Sequence, residues 1–175
     1  MIYLLKNMFR SSITLDIGMR EEKKYDITVT DGGKIISEPR TINVSRELDV
    51  NDFLEKISIL FNLPEKAEKL TVGVDPGVRI GAAALCSNVL LTWRTFRDID
   101  ALVDWIERIV EITRLKEVEV KVGKGWRSDE IIGKILESKI GCVRLIDERN
   151  TTRGLKLKQK LDREVLSAVR IALKA

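Results

Sequence analysis

The stretch Leu70-Thr71-Val72-Gly73-Val74-Asp75-Pro76-Gly77-Val78-Arg79-Ile80-Gly81-Ala82-Ala83-Ala84 decides the fold. Leu70, Val72 and Val74 alternate with small or polar residues, the period of a strand, and β-branched side chains favour that conformation. Asp75 ends the strand and points away from the valines. Pro76 keeps Asp75 extended, because its ring disfavours the helical region for the residue before it, and Gly77 turns the chain where a side chain would clash. Gly81 and the three alanines open a second, thin strand. Their small size would let a polymer backbone or a metal approach the carboxylate.

Outward from this stretch the elements alternate. Strands over 81–87 and 89–96, joined by a Ser87-Asn88 turn, complete an antiparallel meander with 70–75. Asp98 or Asp100 opens a helix whose stripe is Leu102, Val103, Ile106, Ile109 and Val110. A strand over 118–122 follows. Ser128 is expected to cap a helix with Asp129 and Glu130 in its first turn, where negative charge meets the positive end of the dipole. A strand over 142–146 and a last helix with Leu161, Val165, Ala168, Val169 and Ala172 on one face close the chain. Strand-helix-strand connections are almost always right-handed and leave their strands parallel. The reading is an α/β fold with a mixed five-stranded sheet, three antiparallel strands followed by parallel ones, and helices on its faces.

A boundary falls near 64–69, giving a β-rich N-terminal extension over 1–68 and the main domain over 69–175. In the extension, 12–17, 25–30, 34–37 and 41–44 read as short strands and Asp31-Gly32-Gly33 as a hairpin turn. Val50, Phe53, Leu54, Ile57, Leu60 and Phe61 then recur at helical spacing, with Asp49 or Asn51 as cap and Leu63-Pro64 as stop.

Composition narrows the chemistry. The 175 residues are 44% hydrophobic, enough for one good core, and contain no histidine. Histidine-dependent nucleophilic schemes and imidazole zinc sites are excluded. Carboxylates remain, and these suit Mg²⁺ or Mn²⁺, hard ions that take oxygen ligands. Cys86 and Cys142 lack metal-ligand spacing and read as buried thiols. Charged residues reach 33%, in keeping with the Lys/Glu enrichment of thermophiles. No apolar run is long enough to span a bilayer and no signal peptide is evident at the start, so the expected location is the cytoplasm, with no membrane partner.

The order of elements resembles the ribonuclease H-like fold. Val72 to Gly81 is similar to the first strand and turn of the RuvC Holliday-junction resolvases and their YqgF relatives. Asp147-Glu148-Arg149-Asn150-Thr151-Thr152 is similar to the Asp-Glu-Arg-x-Thr-Thr signature of the YqgF family, and Glu164 lies a turn before Ser167-Ala168 as an acid precedes a small pair there. The resemblance covers residues 70–175. It implies a metal-dependent nuclease acting on branched DNA, as resolvases do in pairs, or on structured RNA such as a ribosomal RNA precursor. RuvC-type enzymes carry a glutamate at the end of the fourth strand; here that point is Val122-Gly123-Lys124-Gly125, and YqgF relatives also lack it.

The carboxyl ends of the parallel strands lie together, and ligands favour such crevices. Asp75, Asp147 and Glu148 are expected to converge there, with Glu164 or Asp162 from the last helix completing a cage for one or two divalent ions. Asp75, Glu148 and Glu164 are the catalytic candidates. Glu119, further back on its strand, reads as an edge or surface charge. The chain is net positive by four, and Arg149, Arg153, Lys156, Lys158, Lys160 and Arg163 cluster between the acidic motifs with Asp162 as the sole acid among them. Cations there would meet the phosphates beside a scissile bond. Arg79, Lys124, Trp126 and Arg127 are further nucleic-acid candidates, Trp126 as the best of three tryptophans for stacking a base. The rival reading is a binding or assembly module that keeps the fold without a complete metal cage.

Overall fold

The computed structural model describes residues 28–30, 41–43, 49–147 and 161–174. Strand β1 (Thr28–Thr30) pairs in parallel with β2 (Thr41–Asn43), Thr28 opposite Thr41. The expected strands at 12–17 and 34–37 and the Asp31-Gly32-Gly33 turn lie outside the described residues. Helix α1 (Val50–Asn62) starts where the Asp49 carboxylate accepts from the backbone N–H groups of Asn51 and Asp52 at 2.8 and 3.1 Å, and it stops at Leu63, before Pro64.

Five strands form the main sheet in the order β5-β4-β3-β6-β7: β3 (Lys69–Asp75), β4 (Ile80–Cys86), β5 (Val89–Phe96), β6 (Glu117–Gly123) and β7 (Cys142–Ile146). β4 is antiparallel to both β3 and β5, whereas β6 is parallel to both β3 and β7. This is the mixed five-stranded α/β sheet, three antiparallel strands followed by parallel ones, that the sequence implies. The β4–β5 turn takes two residues, Ser87 and Asn88, both with positive φ, the twist that suits a tight hairpin.

Helix α2 (Ile99–Thr113), capped by Asp98 through the Ala101 N–H, and α3 (Ser128–Ser138) cover one face with α1. Val72, Val74, Val118, Val120 and Val122 meet Leu102, Ile106, Ile109, Ile131 and Ile135 there, and Ile59 of α1 belongs to the same core. Glu55 of α1 accepts from Trp105 Nε1 at 2.9 Å and Thr92 Oγ1 at 3.1 Å, so Trp105 is a packing residue, tilted on Phe96. Helix α4 (Arg163–Leu173) covers the opposite face, with Ala168, Val169 and Ala172 on Ala83 and Leu85. No helix among the described residues is long and apolar enough to cross a membrane.

Several expectations need correction. Helix α3 begins at Ser128 rather than being capped by it. The cap position is Arg127, left-handed at φ 71°, and the Ser128 hydroxyl instead accepts from Gly125 N–H at 2.7 Å and faces the Gly123 carbonyl at 3.0 Å. Cys142 is exposed, because it starts an outer strand, whereas Cys86 is buried. Gly77, by contrast, stands as expected where a side chain would be crowded, since a Cβ there would lie 3.0 Å from the Arg79 carbonyl oxygen. Glu119 is not a surface charge. It is 4% exposed, because β7 adds outside β6 and removes β6 from the edge.

Candidate active site

Residues opposite one another on paired strands share a face, so register lays out the site. Asp75 faces Gly81 on β4, and Gly81 faces Thr95 on β5. Val74 faces Val122, which puts Gly123 beside Asp75 on the other side. This row lies at the carboxyl end of β3, on the face covered by α4.

Two glycines set the depth of that helix. A Cβ at Gly73 would lie 2.0 Å from the Ala168 carbonyl oxygen, and one at Gly81 would lie 2.2 Å from that of Glu164. Helix backbone rests directly on sheet backbone at both points, which no side-chain-bearing residue permits. The run of small residues therefore receives α4, and not the polymer or metal expected of it. The seating carries the first turn of α4 against the end of β3, bringing Glu164 and Ser167 to Asp75.

Asp75 is half-buried, and its carboxyl is held above the ordinary carboxylate range. Burial is the main cause, and the neighbouring Glu164 charge adds to it; a hydrogen bond from Ser167 and the charge of Arg163 pull the other way without prevailing. Asp75 thus feels the charge of a second carboxylate, Glu164, and accepts from the Ser167 hydroxyl. Ser167, one turn beyond Glu164 on the same helical face, was not legible as a partner of Asp75, although an i, i+3 spacing from an expected site acid is the signal that finds it.

Gly81→Ala tests this arrangement. The new methyl group forces α4 to lift, so overpacking of about 1–3 kcal/mol is expected in denaturant unfolding. Retreat of Glu164 should also bring the Asp75 carboxyl, followed by its carbon-13 chemical shift against pH, back toward the ordinary range. Unchanged stability and titration would show that α4 does not depend on the notch.

The remaining candidates divide by position. Asp162 sits at the N-cap of α4 without capping it, and its carboxylate lies 3.8 Å from Arg79 Nη2. Arg79 also donates to Thr95 Oγ1 at 3.1 Å. Arg163 is exposed at the start of α4. Asp147 is exposed just beyond β7, and its carbonyl accepts from the Lys174 ammonium. The backbone N–H of Lys124 bonds the Ile146 carbonyl at 2.8 Å, tying the ends of β6 and β7, while a Cβ on Gly125 would come within 3.0 Å of the Pro76 carbonyl oxygen. The 123–127 loop therefore lies against the turn after Asp75. Trp126 is 68% exposed there, with the Arg127 guanidinium 5.8 Å from its ring centre. Arg127 is itself engaged by Glu130 at 2.8 Å, a pairing that raises its pKa and leaves it less free for a phosphate. Glu148, Arg149, Arg153, Lys156, Lys158 and Lys160 lie outside the described residues. Among the described residues no group of three or more acidic or cysteine side chains gathers as a ready metal cage.

No protein-family model and no curated protein matches the chain. Among solved structures it is similar to T. thermophilus RuvC in complex with a Holliday junction substrate, at 16% identity and a TM-score of 0.45, over 61% of this chain and 91% of that one.

Proposed function

We propose that the protein is a metal-dependent endonuclease that hydrolyses phosphodiester bonds in branched DNA or structured RNA. The observation that carries this is the seating of Glu164 on Gly81, opposite Asp75 at the carboxyl end of β3, where the Asp75 carboxyl is raised by burial and further by the Glu164 charge. Holding like charges together in a half-buried site opposes folding unless a cation relieves it. Hard carboxylate oxygens and a hydroxyl are the donor set that suits Mg²⁺ or Mn²⁺. Asp75 and Glu164 would hold the ion, with Glu148 and Asp147 as the further donors that the sequence resemblance supplies and Asp162 as the second candidate on α4.

A bound divalent ion would lower the pKa of a water and offset charge on a phosphodiester. The chain's own residues do the rest. Ser167 fixes the rotamer of Asp75, so that the carboxylate is presented in one orientation. Arg79, Lys124 and Arg163 surround the crevice with positive charge for phosphates, and Trp126 offers an exposed ring on which a base can stack. The basic run Arg149 to Lys160 would extend that surface. Two copies acting together would suit symmetric cutting of a four-way junction, and a cytoplasmic location would suit either substrate.

The test is cleavage of labelled four-way DNA junctions, duplex DNA and structured RNA with Mg²⁺, Mn²⁺ or chelator, by wild type and Glu164→Gln. Cutting that requires metal and falls by about 10²-fold in the variant is expected, and the best-cut substrate identifies the class. Salt-sensitive binding of the same nucleic acids without any cutting would overturn the nuclease assignment. It would favour the non-catalytic module, a reading supported by Gly123 standing where a fourth-strand acid would complete the cage.

A further inference from the structure

Beside the acid pair, on the other flank of the first turn of α4, a groove opens between that helix and strand β5. It is lined by Trp93, Arg94, Thr95, Leu161, Asp162 and Val165 and holds about 270 Å³. Pockets for small molecules run larger and more enclosed, at roughly 300–1,000 Å³, so the dimensions suit a surface across which a polymer lies. Trp93 is 39% exposed. It lies opposite Ala83, on the face of the sheet that α4 covers. A large indole left partly open on a strand whose inward neighbours are buried has no structural need met by water.

We propose that this groove binds a single-stranded segment of nucleic acid flanking the bond to be cut, with one base stacked on Trp93. The proposal rests on the nuclease reading for its direction, since it takes the strand to run from the Asp75–Glu164 site into the groove. Asp75, Gly81 and Thr95 form one row across three strands, so the groove begins about 10 Å from the carboxylate, two strand spacings away. Because the Glu164 backbone rests on Gly81, a strand cannot cross directly and must round the N-terminal end of α4. Arg79 and Arg163 stand at that corner, and the positive end of the helix dipole faces the same way. Asp162 is the one acid in the groove's lining, and the Arg79 guanidinium, 3.8 Å away, offsets its repulsion of a phosphate. Two arginines beside a partly exposed indole form the pattern of a stacking platform in an electropositive track, which tolerates any base because every base has a π-face.

Binding is measured in chelator, so that nothing is cut. Fluorescein-labelled single-stranded DNA and RNA 20-mers and a four-way junction are titrated by anisotropy with wild type, Trp93→Ala, Trp93→Phe and Trp126→Ala. Trp93→Ala is expected to weaken binding of the single strands roughly 10-fold and Trp93→Phe to restore most of it, since a phenyl ring still stacks. In Trp126→Ala, whose remaining indoles are Trp93 and the buried Trp105, saturating oligonucleotide should quench the tryptophan emission. Thermal melting confirms that the Trp93 variants are folded. Equal affinity of wild type and Trp93→Ala, unquenched emission, or no single-strand binding at all would overturn the groove. Loss of binding in Trp93→Ala in a protein that cuts nothing would uphold the groove while the nuclease reading fails. Cutting by wild type with binding indifferent to Trp93 would do the reverse.

Discussion

Asp75→Asn is expected to lower cleavage by about 10³-fold or more while the metal-free protein melts at the wild-type temperature or above it. The two halves have one cause. The ionised carboxylate is half-buried, and it faces the charge of Glu164. At neutral pH it therefore opposes folding, whereas a neutral amide of the same shape does not, and its carbonyl oxygen still accepts from Ser167. The pH dependence has a definite sign. A raised native pKa means that the native state binds the proton more tightly than the unfolded chain, so wild-type stability falls as the pH rises through that value. The advantage of Asp75→Asn should be greatest above it and vanish below it, where wild type is also neutral. Melting in chelator across pH 3 to 8 reads this half. Melting with added Mn²⁺ reads the other, since a site built on Asp75 stabilises wild type in proportion to occupancy and leaves the variant unmoved. A variant that melts well below wild type at every pH would make Asp75 a structural residue, and one that cuts normally would remove it from the site.

How much of this was legible beforehand depends on the range of the interaction involved. Caps and turns are local: Asp49 and Asp98 cap their helices, and Ser87-Asn88 turns the hairpin, because each needs only the next few residues. The strand directions, an antiparallel meander followed by parallel strands, followed from the alternation of periods and the strand-helix-strand connections. Asp75 could be placed at the end of its strand for the same reason. Its surroundings could not. Whether Gly73 and Gly81 admit a ligand or a helix is decided by residues about 90 positions further on, and Ser167 reaches Asp75 only because α4 seats on both glycines. Glu119 shows the same limit on the other side of the sheet. Glu-Val-Glu-Val-Lys-Val over 117–122 reads as a half-exposed strand, yet β7 on its far side and α4 above make it a buried one.

The second large effect is expected at that buried acid. Glu119→Gln should destabilise the protein by about 3–5 kcal/mol, the range for breaking a buried ion pair by removal of one partner, and lower its melting temperature by roughly 10 °C. The Glu119 carboxylate sits 3.0 Å from Lys69 Nζ, 3.1 Å from Arg144 Nη1 and 3.8 Å from Lys121 Nζ. Burial by itself would raise its pKa, but hydrogen bonds from Lys69 and Arg144 and the charge of Lys121 outweigh burial and hold it low. Lys121 makes the loss severe. Its ammonium is buried and donates to the carbonyls of Ala172 at 3.0 Å and Lys174, closing the free end of α4. Without Glu119 that charge keeps dipoles for company but no counter-ion. Arg144 is more exposed and can turn to water, so Arg144→Ala should cost far less, about 1 kcal/mol. The sign with pH is opposite to that of Asp75. A depressed native pKa gives stability that is complete above the ordinary glutamate value of 4.5 and is lost as the pH falls through the native one. Wild type and Glu119→Gln should therefore converge in acid and separate at neutral pH. Parallel curves of melting temperature against pH would show that the acid is tolerated in the core without contributing to it, and that α4 is held by its glycine seats alone.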